Sequence, residues 1–184
     1  MIEYTEEMKH EFMRCSGFLY FLGAHIAKAE MIDPRLLDLM DKKVVNLGDK
    51  RASYRSTLIC AYALWLSIFN HDNVSLIITH DDKAAKSLKE DLMQMYWKLP
   101  EYMRPKTVYD NRHHVEFDNY SKVYFERASA ISGKGRSVNL LAIDNFELIG
   151  KKVLEVLAAN LIPCLAATHS KLITTGTGFG EMYE

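Results

Sequence analysis

The sequence predicts an α/β protein in three layers (α/β/α): a mainly parallel central sheet, helices on both faces, and an inserted β-hairpin or meander. Short β-rich runs alternate with helix-length amphipathic segments, the pattern of strand–helix–strand crossovers. The run Val138–Ile143 is apolar except for Asn139, as expected of a strand covered on both faces. Polar loops leave three of the strands, and in open α/β sheets ligands bind beyond the carboxyl ends of strands.

The elements follow in order. Met8, Phe12, Cys15, Leu19 and Leu22 recur at helical spacing and predict a helix from Thr5 to about Ala29. Asp33-Pro34 has the form of an N-cap followed by proline at the first helical position, opening a short helix to about Met40. Val44–Leu47 is a short apolar strand, residues 48–54 a polar loop, and Ser56–Phe69 a strong helix. Val74–Thr79 is a strand bounded by Asp72-Asn73 and Asp81-Asp82, and an amphipathic helix runs from Lys83 to Lys98. Leu99-Pro100 ends that helix. Lys106–Tyr109, His113–Phe117 and Lys122–Glu126 form the meander, with turns at Asp110-Asn111 and Asp118-Asn119. A Gly/Ser loop (129–137), the strand Val138–Ile143, a helix over Lys151–Asn160 and a last strand Lys171–Thr174 complete the chain.

The 184 residues are 48% hydrophobic and 26% charged, enough for one domain with one sizeable core. A net charge of -1 gives no global attraction to nucleic acid, so any DNA contact must come from a local patch. Cys15, Cys60 and Cys164 form no CxxC pair and read as reduced thiols. No run approaches the roughly 18 apolar residues of a membrane span, and the acidic N-terminus lacks a signal-peptide pattern. A soluble intracellular protein is expected. His113-His114 has no partner cluster at metal-ligand spacing and reads as structural.

Three loops carry the candidate chemistry. The segment Asp49–Thr57 lies between a strand and a helix, where free N–H groups and the helix dipole favour an anion. It keeps a basic–hydroxyl pair, Arg55-Ser56, but not the glycines of a phosphate loop, and it also reads as a plain solvated loop. Asp144, at the tip of an apolar strand, is where nucleotide hydrolases hold Mg²⁺, or else a turn residue. Its neighbour Asn145 can orient a water but cannot take its proton. Thr175–Gly178 forms the third loop.

In their order along the chain these pieces resemble the ATPase domain of tailed-phage large terminases, a P-loop NTPase of the ASCE type. The likeness runs from about residue 40 to the end. Arg51-Ala52-Ser53-Tyr54-Arg55-Ser56-Thr57 stands for the family's Arg-Gln-x-Gly-Lys-[Ser/Thr]-Thr loop, and Ala61–Trp65 for its helix face. Thr79-His80, Leu99-Pro100 with Pro105, the hairpin around Asp118-Asn119, and Lys134-Gly135-Arg136-Ser137 follow in register. Asp144-Asn145 replaces the acidic Asp-Glu pair, and Thr174–Gly178 replaces the coupling motif.

The resemblance implies ATP and Mg²⁺ as cofactors. Lys50, Arg51, Ser53, Tyr54, Arg55, Ser56, Thr57 and Thr175 would bind the nucleotide, and Asp144 and Ser56 the metal. Arg51 would sense the γ-phosphate, Asn145 stands where the base should be, and Glu147 is the nearest carboxylate that can substitute for it. It also implies partners: double-stranded DNA, a portal protein, a small terminase subunit and further copies in a ring, in the host cytoplasm at the procapsid portal. Residues 1–40 would be an N-terminal helical segment and 41–184 the P-loop core, without the nuclease domain that large terminases carry. Tyr54 for Gly, Arg55 for Lys and Asn145 for Glu predict impaired hydrolysis. A pseudo-ATPase binding module and a helicase-like P-loop protein are the alternatives.

Overall fold

The computed structural model describes residues 5–26, 35–48, 54–165 and 170–177. Its centre is a seven-stranded sheet in the order β1-β7-β6-β2-β5-β4-β3. The strands are β1 (Val44–Asn46), β2 (Val74–Thr79), β3 (Thr107–Asp110), β4 (His114–Phe117), β5 (Lys122–Arg127), β6 (Leu140–Ile143) and β7 (Lys171–Thr174). All neighbours pair in parallel except β3–β4 and β4–β5, the expected meander.

Helices α4 (Arg55–Phe69) and α5 (Asp82–Lys98) cover one face, and α6 (Lys151–Cys164) covers the other. The chain's path explains this. From β1 through α4 to β2 it moves one way along the sheet, and from β6 through α6 to β7 it moves back. Crossovers of one hand must then place their helices on opposite faces. Side chains alternate accordingly. Ile77, Phe125, Ala142 and Ile173 pack with α4 and α5, while Leu76, Ile78, Leu141 and Leu172 pack with Leu157 and Leu161 of α6. The three-layer α/β/α class is therefore the observed one.

The N-terminal segment departs from expectation. The single helix predicted from Thr5 onward divides into α1 (Glu6–Cys15), α2 (Phe18–Phe21) and a π-helical turn (Leu22–Ile26). Gly17 leaves the helical region at φ −83° and ψ 118°. The indole Nε1 of Trp65 donates to the Cys15 carbonyl at 3.1 Å, taking an oxygen that the expected longer helix would use. The break lets Phe18 meet Tyr62 edge-on at 4.9 Å, docking the segment on α4. The Asp33-Pro34 helix start lies outside the described residues. The helix it was to open, α3 (Arg35–Asp41), is present.

Cys15 and Cys60 are buried free thiols. Burial, then the charge of Glu11, pushes the Cys15 thiol up to about 12, and burial pushes Cys60 well above its ordinary range. No helix among the described residues is long and apolar enough to cross a membrane.

Candidate functional site

The parallel register sets the site. Asn46 of β1 lies level with Thr174 of β7, which lies level with Ile143 of β6. Three loops therefore leave the sheet side by side, and short bonds join them. Asn46 Oδ1 accepts from the Gly48 amide at 2.7 Å, and the Gly48 carbonyl accepts from the Gly176 amide at 2.8 Å. The Thr175 amide donates to the Ile143 carbonyl, and the Phe146 amide to the Thr175 carbonyl, both at 3.0 Å.

Asp144 is the hub. It is 3% exposed at the tip of β6. Its Oδ1 accepts from the Ser56 hydroxyl at 2.9 Å and from the Thr175 hydroxyl at 2.8 Å. Its Oδ2 accepts from the Asn145 carboxamide at 2.9 Å. Thr175 Oγ1 also accepts from the Asn145 backbone N–H at 2.8 Å. Residues from α4, β6 and β7, far apart in sequence, thus converge on one buried carboxylate.

Of the residues singled out in the sequence, Ser56, Asp144, Asn145 and Thr175 are brought together. Arg55 is buried in the first turn of α4. Tyr54 precedes it with φ 53° and ψ 25°, left-handed backbone that suits glycine. The turn is thus kept without glycine, at about 1–2 kcal/mol of strain, and Tyr54 is 41% exposed. Its side chain makes no cap hydrogen bond to α4.

Thr57 faces elsewhere. It lines a cavity of about 220 Å³ with His25, Asp91, Gln94 and Lys98. Glu147 is exposed on the 3₁₀ turn Phe146–Leu148, and its carboxylate lies over Gly176, where an added Cβ would fall 1.8 Å from Oε2. Arg136 is paired with Glu126 and covers the Tyr124 ring at 4.3 Å. Lys50, Arg51 and Ser53 lie outside the described residues.

Sequence reasoning missed Asn46 and Gly48. The signal was present: Asn-x-Gly at a strand end is turn chemistry, and Gly48 has φ 77°. The His113-His114 reading gains a structural partner. His114 stacks between Tyr109 and Tyr124 at 4.8 and 5.0 Å.

Oxygen donors and a buried carboxylate thus gather at the carboxyl ends of parallel strands in a three-layer α/β/α fold. No protein-family profile matches the chain. Solved structures narrow the fold to that of phage large terminase ATPase domains. A mutant ATPase domain of the Thermus phage P74-26 large terminase superposes with a TM-score of 0.69 at 14% identity, over 85% of this chain and 68% of that one. The HK97 bacteriophage large terminase gives 0.67 at 12%, over 89% of this chain and 37% of that one. The large terminase of thermophilic bacteriophage D6E, solved with ATP-gamma-S, gives 0.55 at 13%, over 90% and 37%. The chain therefore spans little more than a third of the HK97 and D6E proteins.

Proposed function

We propose that this chain is the ATPase domain of a tailed-phage large terminase, the DNA-packaging motor, and that its nucleotide site hydrolyses ATP slowly or not at all. The observation that carries the reading is the Ser56–Asp144 hydrogen bond of 2.9 Å, which joins the first turn of α4 to the tip of β6. A hydroxyl and a buried carboxylate on one spot are the oxygen donor set that Mg²⁺ takes. They fit that ion, and the first-turn N–H groups of α4 fit phosphate oxygens. Mg²⁺ bound there neutralises charge on the phosphates.

The remaining roles belong to the chain's own groups. Thr175 holds Asp144 and the Asn145 backbone together, so a change at the Asp144 oxygens is felt at the end of β7. Asn145 spends its amide on Asp144 and has no basic atom with which to take a proton from water. Losing a general base lowers rate by roughly 10²–10⁴-fold. Lys50 and Arg51 complete the phosphate contacts in this reading. Double-stranded DNA, a portal protein, a small terminase subunit and further copies in a ring are the partners it implies, at the procapsid portal in the host cytoplasm. The left-handed, hydrogen-bonded Asn145 favours a second reading, a pseudo-ATPase that binds without turnover.

Calorimetric titration of Mg-ATP into the chain, with phosphate release followed on the same sample, tests both. Binding that Asp144→Ala removes, with little release, is the expected result. Absence of binding overturns the nucleotide site. Rapid release that Arg55→Ala abolishes overturns the impaired engine.

A further inference from the structure

Away from the nucleotide edge, the N-terminal helices bring a thiol, an imidazole and a carboxylate together. Glu11 and Cys15 stand four residues apart on α1, hence on one face of the helix, and His25 reaches them from the π-helical turn. The three candidate ligand atoms lie within 4.8 Å of one another. Cys15 Sγ is 3.7 Å from Glu11 Oε1, and His25 Nε2 is 3.5 Å from the same oxygen. Metal–ligand bonds of about 2.0–2.3 Å at tetrahedral angles give ligand–ligand edges of about 3.3–3.6 Å. The two spacings from Glu11 Oε1 are close to those edges.

Two further observations point at a ligand. His25 Nε2 is buried and makes no hydrogen bond. Such an atom needs an explanation. Glu11 is also held with one oxygen free for the cluster. Its Oε2 accepts from the Tyr20 hydroxyl at 3.1 Å and faces Arg14 Nε at 3.7 Å, leaving Oε1 toward Cys15 and His25. Outer partners of this kind orient metal-binding carboxylates. The Trp65 indole fixes the Cys15 carbonyl, and the Phe21 ring lies 5.9 Å from His25. The π-helical turn itself is a rare form that recurs at functional sites.

We propose that Glu11, Cys15 and His25 bind one borderline-soft divalent cation, Zn²⁺ in kind, which staples α1 to the π-helical turn. One sulfur, one nitrogen and one oxygen suit Zn²⁺ and exclude Mg²⁺ and Ca²⁺, which take oxygen alone. The Glu11 and His25 side chains keep 23% and 15% exposure, which gives the ion a path in and leaves room for water as the fourth ligand. On coordination the Cys15 thiol gives its proton to solvent and the sulfur binds as thiolate. Arg14 is the one charge beside the site that opposes the cation among the described contacts.

The test uses the full, tag-free chain stripped with chelator, in a Cys164→Ser background so that another thiol does not compete. Zn²⁺ is titrated by calorimetry, and Co²⁺ is added to a parallel sample to read the near-ultraviolet thiolate-to-cobalt band. Expected are one ion per chain, a cobalt band, and affinity lowered roughly tenfold or more in Cys15→Ser and in His25→Gln. Tyr20→Phe should weaken binding by roughly tenfold with the stoichiometry kept. If either ligand variant fails to fold by circular dichroism, X-ray absorption of the Zn-loaded chain decides. One sulfur among nitrogen and oxygen neighbours supports the site, and an all-nitrogen/oxygen shell overturns it. So does a Cys15→Ser variant that binds as tightly as its parent.

Discussion

At the scale of single residues, Asp144 explains most of the site's order. A buried carboxylate that accepts three donors satisfies all three at once, and removing it strands the Ser56 and Thr175 hydroxyls and the Asn145 amide. Each buried polar group left unpaired costs about 1–3 kcal/mol. Asp144→Ala should therefore lose about 2 kcal/mol or more in urea unfolding without nucleotide, besides losing Mg-ATP; unchanged stability would mean the cluster does not form. Asn145 invites the complementary change. Asn145→Glu places a second carboxylate beside Asp144 in a left-handed conformation that asparagine tolerates and glutamate does not. Without Mg²⁺ the variant should melt lower than the parent. With Mg-ATP it should release phosphate about 10²-fold faster if proton abstraction is what the site lacks. No gain in release would place the defect at Tyr54, Arg55 or elsewhere. The sequence shows at this position an asparagine, which has no basic side-chain atom. It did not expose the backbone turn, because φ at a single residue is set by the bonds of Thr175 to both sides of it.

At the scale of elements, local signals located most segments and missed one. Val74–Thr79 and Lys171–Thr174 were legible to the residue, since apolar runs bounded by polar or turn-prone residues leave few other readings. The N-terminal helix was drawn too long because its hydrophobic spacing continues through Gly17, while the break is completed by Trp65 from α4, a long-range contact. Capping was written locally. The Asp81 side chain accepts from the Ala84 amide at 2.6 Å, and that bond, with smaller help from His80 and Lys83, lowers its pKa. A carboxylate whose folded pKa is depressed stabilises above its unfolded pKa and loses that contribution as pH falls through the folded one. Asp81→Ala should thus lower the melting temperature most near neutral pH. The gap to the parent should close on acidification below the ordinary aspartate range. A gap independent of pH would assign the effect to packing instead. Gly176 is constrained twice, by φ 126° and by the Glu147 carboxylate lying over it. Gly176→Ala should cost about 1–3 kcal/mol, and Glu147→Ala in the same chain should restore only the part due to the clash.

At the scale of the whole molecule, the sheet order decides where function sits and which parts must hold firm. β2 and β6 lie inside the sheet with both faces covered, whereas β1 is a three-residue strand that, among the described residues, pairs with β7 alone, with Val44 half exposed. That three loops meet at one edge was legible, because alternating strands and helices imply a parallel sheet whose loops share an end. The bond from the Gly176 amide to the Gly48 carbonyl was not, since backbone bonds between loops leave no mark on side-chain chemistry. Opposite demands are thus placed on the two ends of this order. The central strands carry the stability, and the short edge strand is the easier of the two to open. Hydrogen exchange should separate them. Amides of β2 and β6 should exchange only through global unfolding, and those of β1 through smaller openings. Mg-ATP should slow exchange at residues 46–48, 143–147 and 174–177, because a ligand held by Ser56 and Asp144 resists opening of every loop bonded to them. The β3–β4 hairpin, at the far edge, should not respond beyond any global gain in stability. Uniform slowing along the chain, or slowing centred on the hairpin, would place the nucleotide away from the Asp144 cluster. Slowing confined to the three loops would tie binding to that edge of the sheet, where the register of β1, β7 and β6 aligns their ends.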